Sequence, residues 1–123
     1  MAGVANLKLL DSLDLVSNAG AVGSYLNSAM RDALGGHANV GEIRGEGMLC
    51  AVELVRDRDA HVMFDASEKI GPRIVAAMFE RGIIARAMPQ GDIIGFAPPF
   101  QLTRAQADEV VGVTKLAVQE VLG

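Results

Sequence analysis

The sequence predicts a mixed α/β domain in which helices pack on one side of a small sheet. Apolar residues recur at three- and four-residue steps in several segments, which is typical of amphipathic helices. Between these segments lie short apolar runs that contain or adjoin glycine, which favours strands and tight bends. The order is helix, two strands, helix, two short strands, helix. It indicates a two-layer sandwich of the α/β (α+β) class.

The first long helix is predicted from Leu13, because an apolar stripe with helical spacing starts there. Its members are Leu13, Val16, Ala19, Val22, Leu26, Met30 and Leu34. The stripe ends before Gly35-Gly36, and glycine accepts the left-handed conformation that closes a helix. Residues 4–10 are also helix-like, but no capping residue precedes them. We interpret this segment as the tail of a longer element rather than as the start of a helix.

Residues 40–55 predict two strands joined by a bend at Arg44-Gly45-Glu46-Gly47. The same glycines begin like a dinucleotide-binding fingerprint, but the third glycine and the following helix are missing. A bend where two backbones approach closely is the better interpretation. The polar and charged residues 56–65 then predict a loop.

A second helix is predicted between Asp65 and Gly82. Asp65 followed by Glu68 resembles a capping pair. Pro72 means that the helix starts near residue 71 or bends there, because proline is tolerated only in the first turn. The stripe of this helix contains Ile70, Ile74, Ala77 and Met78.

The last third of the chain predicts two short strands, residues 83–86 and 93–96, separated by a turn at residues 88–92. Pro98-Pro99 ends the second strand. Thr103 and Gln106 then form a capping box that opens the final amphipathic helix. We expect residues 1–123 to form one domain.

Composition excludes several classes of function. The chain has 123 residues, of which 50% are hydrophobic and 21% charged, and this balance is that of a folded protein. The net charge of −4 and the absence of a basic cluster argue against nucleic acid. The longest uncharged stretch, residues 15–30, is too polar to span a membrane. A single cysteine excludes an internal disulfide and a multi-cysteine zinc site. We expect a cytoplasmic domain with no metal and no nucleic-acid or membrane partner.

Few residues qualify as catalytic groups. His37 and His61 lie in predicted loops and are interpreted as solvated. Cys50 is interpreted as a small core residue, and Glu53 as a strand residue that points to solvent. Arg86 stands at a strand end beside a turn and has no acidic neighbour in sequence. Its planar fork suits a carboxylate or phosphate, although spacing alone favours a structural salt bridge.

The stretch from Gly91 to Phe100, Gly-Asp-Ile-Ile-Gly-Phe-Ala-Pro-Pro-Phe, is followed by Leu102-Thr103-Arg104. It resembles the C-terminal small domain of the class III aminotransferases, pyridoxal-phosphate enzymes of fold type I. The omega-amino acid–pyruvate transaminases are the most similar group. Supporting stretches are Ala5-Asn6-Leu7, residues 40–49, Val52-Glu53-Leu54 and residues 81–86. The resemblance covers nearly the whole chain.

The resemblance implies a role for Arg86. It occupies the position of the mobile arginine that binds the substrate carboxylate in omega-transaminases and swings away for substrates without one. Gly91, Asp92 and Phe96 would shape the loop around it. The ornithine- and aminobutyrate-type branches carry their arginine directly before Phe-Ala-Pro-Pro. Here that position is Gly95, which favours the omega type.

The resemblance also implies that pyridoxal phosphate is held by a lysine of a large domain outside this region. Residues 1–12 would then be the remnant of a helix that leads out of that large domain. Lys8, Lys69 and Lys115 lie on predicted helices in polar positions, and none corresponds to that lysine. We therefore expect no catalytic residue, no pyridoxal phosphate bound to this chain alone and no activity in isolation. The whole enzyme would move an amino group between an omega-amino acid or amine and a keto acid such as pyruvate.

The alternative is a free-standing, non-catalytic module that self-associates or binds small carboxylates. A small domain without its neighbouring domain would expose an apolar face, and such faces promote association. We therefore expect a homo-oligomer formed through that face.

Overall fold

The computed structural model describes residues 1–123. It contains four α-helices and four strands, with one short 3-10 turn at Ala66–Glu68. The helices are α1 (Ala2–Ser12), α2 (Leu15–Leu34), α3 (Ile70–Glu80) and α4 (Arg104–Leu122). The strands are β1 (Val40–Glu46), β2 (Leu49–Leu54), β3 (Arg86–Ala87) and β4 (Ile93–Phe96). The mixed α/β class and the element order are confirmed.

The sheet is antiparallel throughout, in the order β1-β2-β4-β3. Alternate residues of β2 are buried, namely Cys50, Val52 and Leu54, because side chains of a strand point to opposite faces in turn. Ile94 and Phe96 of β4 continue this buried layer. Helices α2, α3 and α4 cover that face, and the other face carries exposed and half-buried residues.

Helix α2 buries the predicted stripe from Val22 to Leu34. The chain breaks between α1 and α2 at Asp14, whose φ of 50° is left-handed. The predicted helix start at Leu13 was therefore two residues early. Helix α1 has no buried residue and lies beside α2. No helix is both long enough and apolar enough to cross a bilayer.

The start of α3 corrects two predictions. The capping box of Asp65 and Glu68 is present, but it caps the N-terminus of the 3-10 turn rather than that of α3. Lys69 was predicted on a helix but lies between the two elements with a φ of 49°. Helix α3 begins at Ile70, so Pro72 falls in its first turn, where the missing N–H costs no hydrogen bond. Gly82, with a φ of 84°, follows its end as predicted.

The predicted strand at residues 83–86 was wrong for its first three residues, since β3 begins only at Arg86. The Ile83 N–H donates to the carbonyl of Met78, so the chain is still completing the end of α3 there. Strand β4 matches its predicted range. Thr103 and Gln106 cap α4 reciprocally, with the Thr103 Oγ1 accepting from the Gln106 N–H, as predicted.

Candidate functional site

One row of residues crosses all four strands. Arg44 pairs with Ala51, Ala51 with Gly95, and Gly95 with Arg86. Residues directly opposite each other in a sheet project to the same face. Since the neighbouring row contains the buried Val52 and Ile94, this row lies on the face that the helices leave open. Ala51 and Gly95 therefore form a floor between Arg44 and Arg86.

A groove of about 660 Å³ runs along this floor, and most of its lining residues are apolar. Leu49, Ile84 and Met88 are among them, and all three are exposed. Gly95 leaves a space beside Arg86 that the methyl group of Met88 fills. The Cε of Met88 lies 2.3 Å from the place that a Cβ of residue 95 would take.

The two arginines differ in their partners. The Nη1 of Arg44 lies 2.8 Å from the Oε2 of Glu42 and 3.2 Å from that of Glu53. The hydrogen bonds that Arg44 donates to both carboxylates raise its pKa, and the bond to Glu53 contributes most. Glu53 was interpreted as pointing to solvent, but it is half-buried and bound to Arg44. The four ion pairs of the structure do not include Arg86.

Arg86 is thus an exposed cation at the edge of an apolar groove. The structural salt bridge that its spacing favoured is not formed. A guanidinium in this position can donate two parallel hydrogen bonds to a carboxylate. Arg44 is less suited to that task, because its charge is already balanced within the sheet.

The structure separates the other predicted site residues. Phe96 borders the same groove as Arg86, although its side chain is buried in the core. Gly91, with a φ of 69°, and Asp92 lie at a different, smaller depression beside Lys69. The Asp92 carboxylate accepts a hydrogen bond from the Gly71 N–H at 2.8 Å and is buried there. Arg86 and Phe96 are brought together, and Gly91 and Asp92 are not.

Sequence reasoning did not find Arg44, Ala51, Gly95 and Met88 as groove residues. The alternation of β2 indicates which of its residues share a face, and this was a usable signal for Ala51. The pairing of β2 with β4 has no local signal, because about forty residues separate them.

Cys50 and His37 are poorly placed to act as a catalytic nucleophile or base. Burial raises the pKa of the Cys50 thiol to about 11, so at neutral pH it is protonated and unreactive. The Nδ1 of His37 accepts a hydrogen bond from the Asn39 N–H in the loop after α2. No group of three or more His, Cys, Asp or Glu side chains is placed to hold a metal ion.

Comparison with known proteins decides the family. The model of the class-III aminotransferases matches residues 1–118. The chain belongs to this family. Over 120 residues this class-III aminotransferase chain is 48% identical to the diaminobutyrate–2-oxoglutarate transaminase of Halomonas elongata. The match covers 98% of the chain and 26% of that relative.

Solved structures agree with this assignment. The aminotransferase chain superimposes on a transaminase obtained by ancestral reconstruction with a TM-score of 0.96 and 53% identity. It superimposes on an (S)-enantioselective omega-transaminase from Thermomicrobium roseum with a TM-score of 0.90 and 38% identity. Each match covers 98% of this chain and 26% of the other. The chain spans about a quarter of the length of the relatives that it matches.

Class-III aminotransferases depend on pyridoxal phosphate. Covalent binding of the cofactor needs a lysine amine in a desolvated site. Lys8 is on α1, Lys115 on α4 and Lys69 before α3, and all three are exposed. None lines the groove that holds Arg86. No lysine of this chain is therefore placed in the groove to hold the cofactor covalently.

Proposed function

We propose that this chain supplies the carboxylate-binding part of a pyridoxal-phosphate-dependent aminotransferase. The whole enzyme would transfer an amino group between an omega-amino acid or amine and a keto acid such as pyruvate. Residues 1–123 would be its small domain, and residues 1–12 would lead in from the large one. The length of the relatives supports this, since the chain spans about a quarter of them.

The observation that carries the proposal is that Arg86 is exposed and forms no ion pair within the chain. Its guanidinium lies beside an apolar groove and outside every ion pair of the chain. An exposed guanidinium binds a carboxylate weakly, through two parallel charge-assisted hydrogen bonds. The walls of the groove receive the carbon chain of an amino or keto acid. Arg86 therefore binds the carboxylate and orients the substrate.

The amino-transfer chemistry lies outside this chain. No lysine reaches the groove, so we expect the isolated chain to bind no pyridoxal phosphate and to show no transaminase activity. Absorption spectroscopy with added cofactor tests this. A visible absorbance band of bound cofactor that a Lys69→Ala substitution abolishes would overturn it.

Carboxylate binding can be measured on the chain itself by NMR titration with pyruvate and β-alanine. We expect millimolar affinity, and we expect Arg86→Gln to weaken it by about tenfold or more, equivalent to about 1.4 kcal/mol. Arg73→Gln is the matched control, because Arg73 is also exposed and outside the ion pairs but lies on α3. Equal affinity in the wild type and Arg86→Gln would contradict the role of Arg86.

The amino acceptor divides this proposal into two versions. Pyruvate is the acceptor that the omega-type resemblance implies. The relative from Halomonas elongata, at 48% identity, is named for 2-oxoglutarate. A titration with 2-oxoglutarate beside pyruvate separates the versions. A single arginine binds one carboxylate of 2-oxoglutarate and leaves the second unpaired, so the pyruvate version predicts that 2-oxoglutarate binds no more tightly than pyruvate.

A second candidate function is self-association. Leu49 and Ile84 are large, apolar and exposed on the open face, with 60% and 85% of their surfaces accessible. Faces of this kind promote association between copies. Light scattering on the chain tests it. A monomer at high concentration would contradict a homo-oligomer formed through this face. That result would leave the proposed carboxylate binding by Arg86 standing.

A further inference from the structure

We propose that the outer edge of β1 pairs with the same edge of a second copy of this chain, antiparallel and about a two-fold axis at Ile43. The two four-stranded sheets would join into one continuous sheet. This edge is separate from the open face and from Arg86, so dimerisation here and carboxylate binding there are independent of each other.

The outer edge of β1 is unpaired. In the order β1-β2-β4-β3 this strand stands at the end of the sheet and pairs only with β2. No hydrogen bond from a helix or a loop reaches the backbone of residues 41–46. The strand contains no proline or lysine, the residues that often block an edge. Its free N–H and C=O groups can therefore accept another strand.

The hydrogen bonds of β2 show which residues of β1 face outward. The Leu54 N–H donates to the carbonyl of the residue that precedes β4. Since backbone groups alternate in direction along a strand, Ala51 bonds to the other side, to its partner Arg44. Ile43 and Gly45 flank Arg44, so they direct their N–H and C=O groups away from the sheet.

Charge selects one register for the second copy. Glu42 and Arg44 have 59% and 45% of their side chains exposed, and both lie on the open face. With the axis at Ile43, Glu42 of each copy lies opposite Arg44 of the other, and opposite charges stabilise such cross-strand pairs. An axis at Glu42 or at Arg44 would place each of these side chains opposite its own copy, and like charges destabilise the pair.

Backbone geometry agrees with the axis at Ile43. There Ile43 lies opposite its own copy, and the outward groups of the two residues point at each other. An axis at Gly45 would also pair Arg44 with an acid, Glu46, but it would set Ile43 opposite Gly47. The φ of Gly47 is 55°, so this residue belongs to the turn and cannot extend the pairing. Ile43 packs at the border of the core, and its pairing adds an apolar contact.

We expect a weak dimer, because the register shift between Val40 and Glu42 leaves only a short regular edge. Sedimentation equilibrium of the chain at up to about 1 mM, the range of weak affinities, measures it. Arg44→Glu and Glu42→Arg should each weaken the dimer by about tenfold or more, since each sets like charges opposite each other at two places. Arg73→Glu is the matched control, because it changes the net charge equally but lies on α3.

An equimolar mixture of the two β1 variants should associate again. In that mixture residue 42 of one variant faces the opposite charge at residue 44 of the other, so two chains that fail to pair with themselves pair with each other. Circular dichroism shows that each variant is folded. Raising the salt concentration should also weaken the wild-type dimer, and that measurement needs no variant.

Several outcomes would overturn the proposal. A wild type that stays monomeric would leave this edge without a second copy. A mixture of folded variants that does not associate, or a wild-type dimer that salt does not weaken, would exclude the charge pairing. A dimer that Ile84→Asp dissociates and Arg44→Glu leaves intact would place the contact on the open face instead of the edge of β1.

Discussion

The carboxylate of Asp92 accepts a hydrogen bond from the Gly71 N–H, at 2.8 Å, and so ties the turn before β4 to the first turn of α3. The N-terminus of a helix carries partial positive charge, which a carboxylate stabilises. The backbone carbonyl of Asp92 also accepts from the Leu54 N–H at 2.8 Å. One residue thus joins α3, β2 and β4, and it holds the turn that follows Met88.

Asp92→Ala should lower the free energy of unfolding by about 1–2 kcal/mol, because it removes a helix cap and leaves a buried N–H without a partner. Chemical denaturation measures this. Asp92→Asn should lose less, since its amide oxygen still accepts. Unchanged stability with a loss of pyruvate affinity would instead make Asp92 a ligand-binding residue.

Gly23 should not tolerate a side chain. A Cβ there would lie 2.0 Å from the carbonyl oxygen of Gly47, a backbone atom that cannot move aside. The Nδ2 of Asn27, also on α2, donates to the carbonyl oxygens of Gly47 and Leu49 and holds the hairpin at this distance. Gly23→Ala should therefore destabilise the fold by about 1–3 kcal/mol.

Gly20 is the matched control on the same helix, because a Cβ there meets nothing within 4 Å. Gly20→Ala should stabilise the protein by up to about 1 kcal/mol, since alanine is the better helix former. Thermal unfolding of both variants checks the pair. Equal shifts in melting temperature would show that α2 and the hairpin do not approach this closely.

Cys50 should resist thiol reagents in the folded protein. Cys50 is 3% exposed, and burial raises the pKa of its thiol to about 11. The thiolate is the reactive form, so labelling at pH 7.5 should be slow in buffer and fast in denaturant. The rate of colour release from a disulfide reagent measures this. Rapid labelling of the native chain would place Cys50 at the surface of the groove.

Asp65 should contribute to stability in a pH-dependent way. Hydrogen bonds from the hydroxyl and the N–H of Ser67 lower the pKa of its carboxyl below its ordinary value of 3.8. The folded state thus favours the ionised form. The contribution is full above the unfolded pKa and is lost as pH falls through the folded one.

The stability of Asp65→Asn relative to the wild type tests this. The difference should be largest near neutral pH and should shrink below about pH 4, the ordinary pKa of an aspartate, as the wild type takes up a proton. Urea unfolding at several pH values measures it. A difference that is constant from pH 3 to pH 7 would show that the charge of Asp65 has no part in it.

Local signals in the sequence determined most of the elements. The capping box of Thr103 and Gln106, the stripe of α2 and the glycine at the end of α3 each act within about one helical turn. Alternation within β2 determined which of its residues are buried. These features depend on neighbours in the chain, so a single sequence contains the information.

The site depended on contacts between distant residues. The strand order β1-β2-β4-β3 places Arg86 beside Gly95 and leads from there to Ala51 and Arg44, and no local pattern specifies which strands pair. The same holds for Asp92, whose partner Gly71 lies 21 residues away. The sequence alone therefore determined most of the elements and, through the family resemblance, pointed to Arg86. Only the tertiary structure decided that Arg86 lies outside the ion pairs and faces a groove with a glycine floor, because packing between separate elements creates that environment.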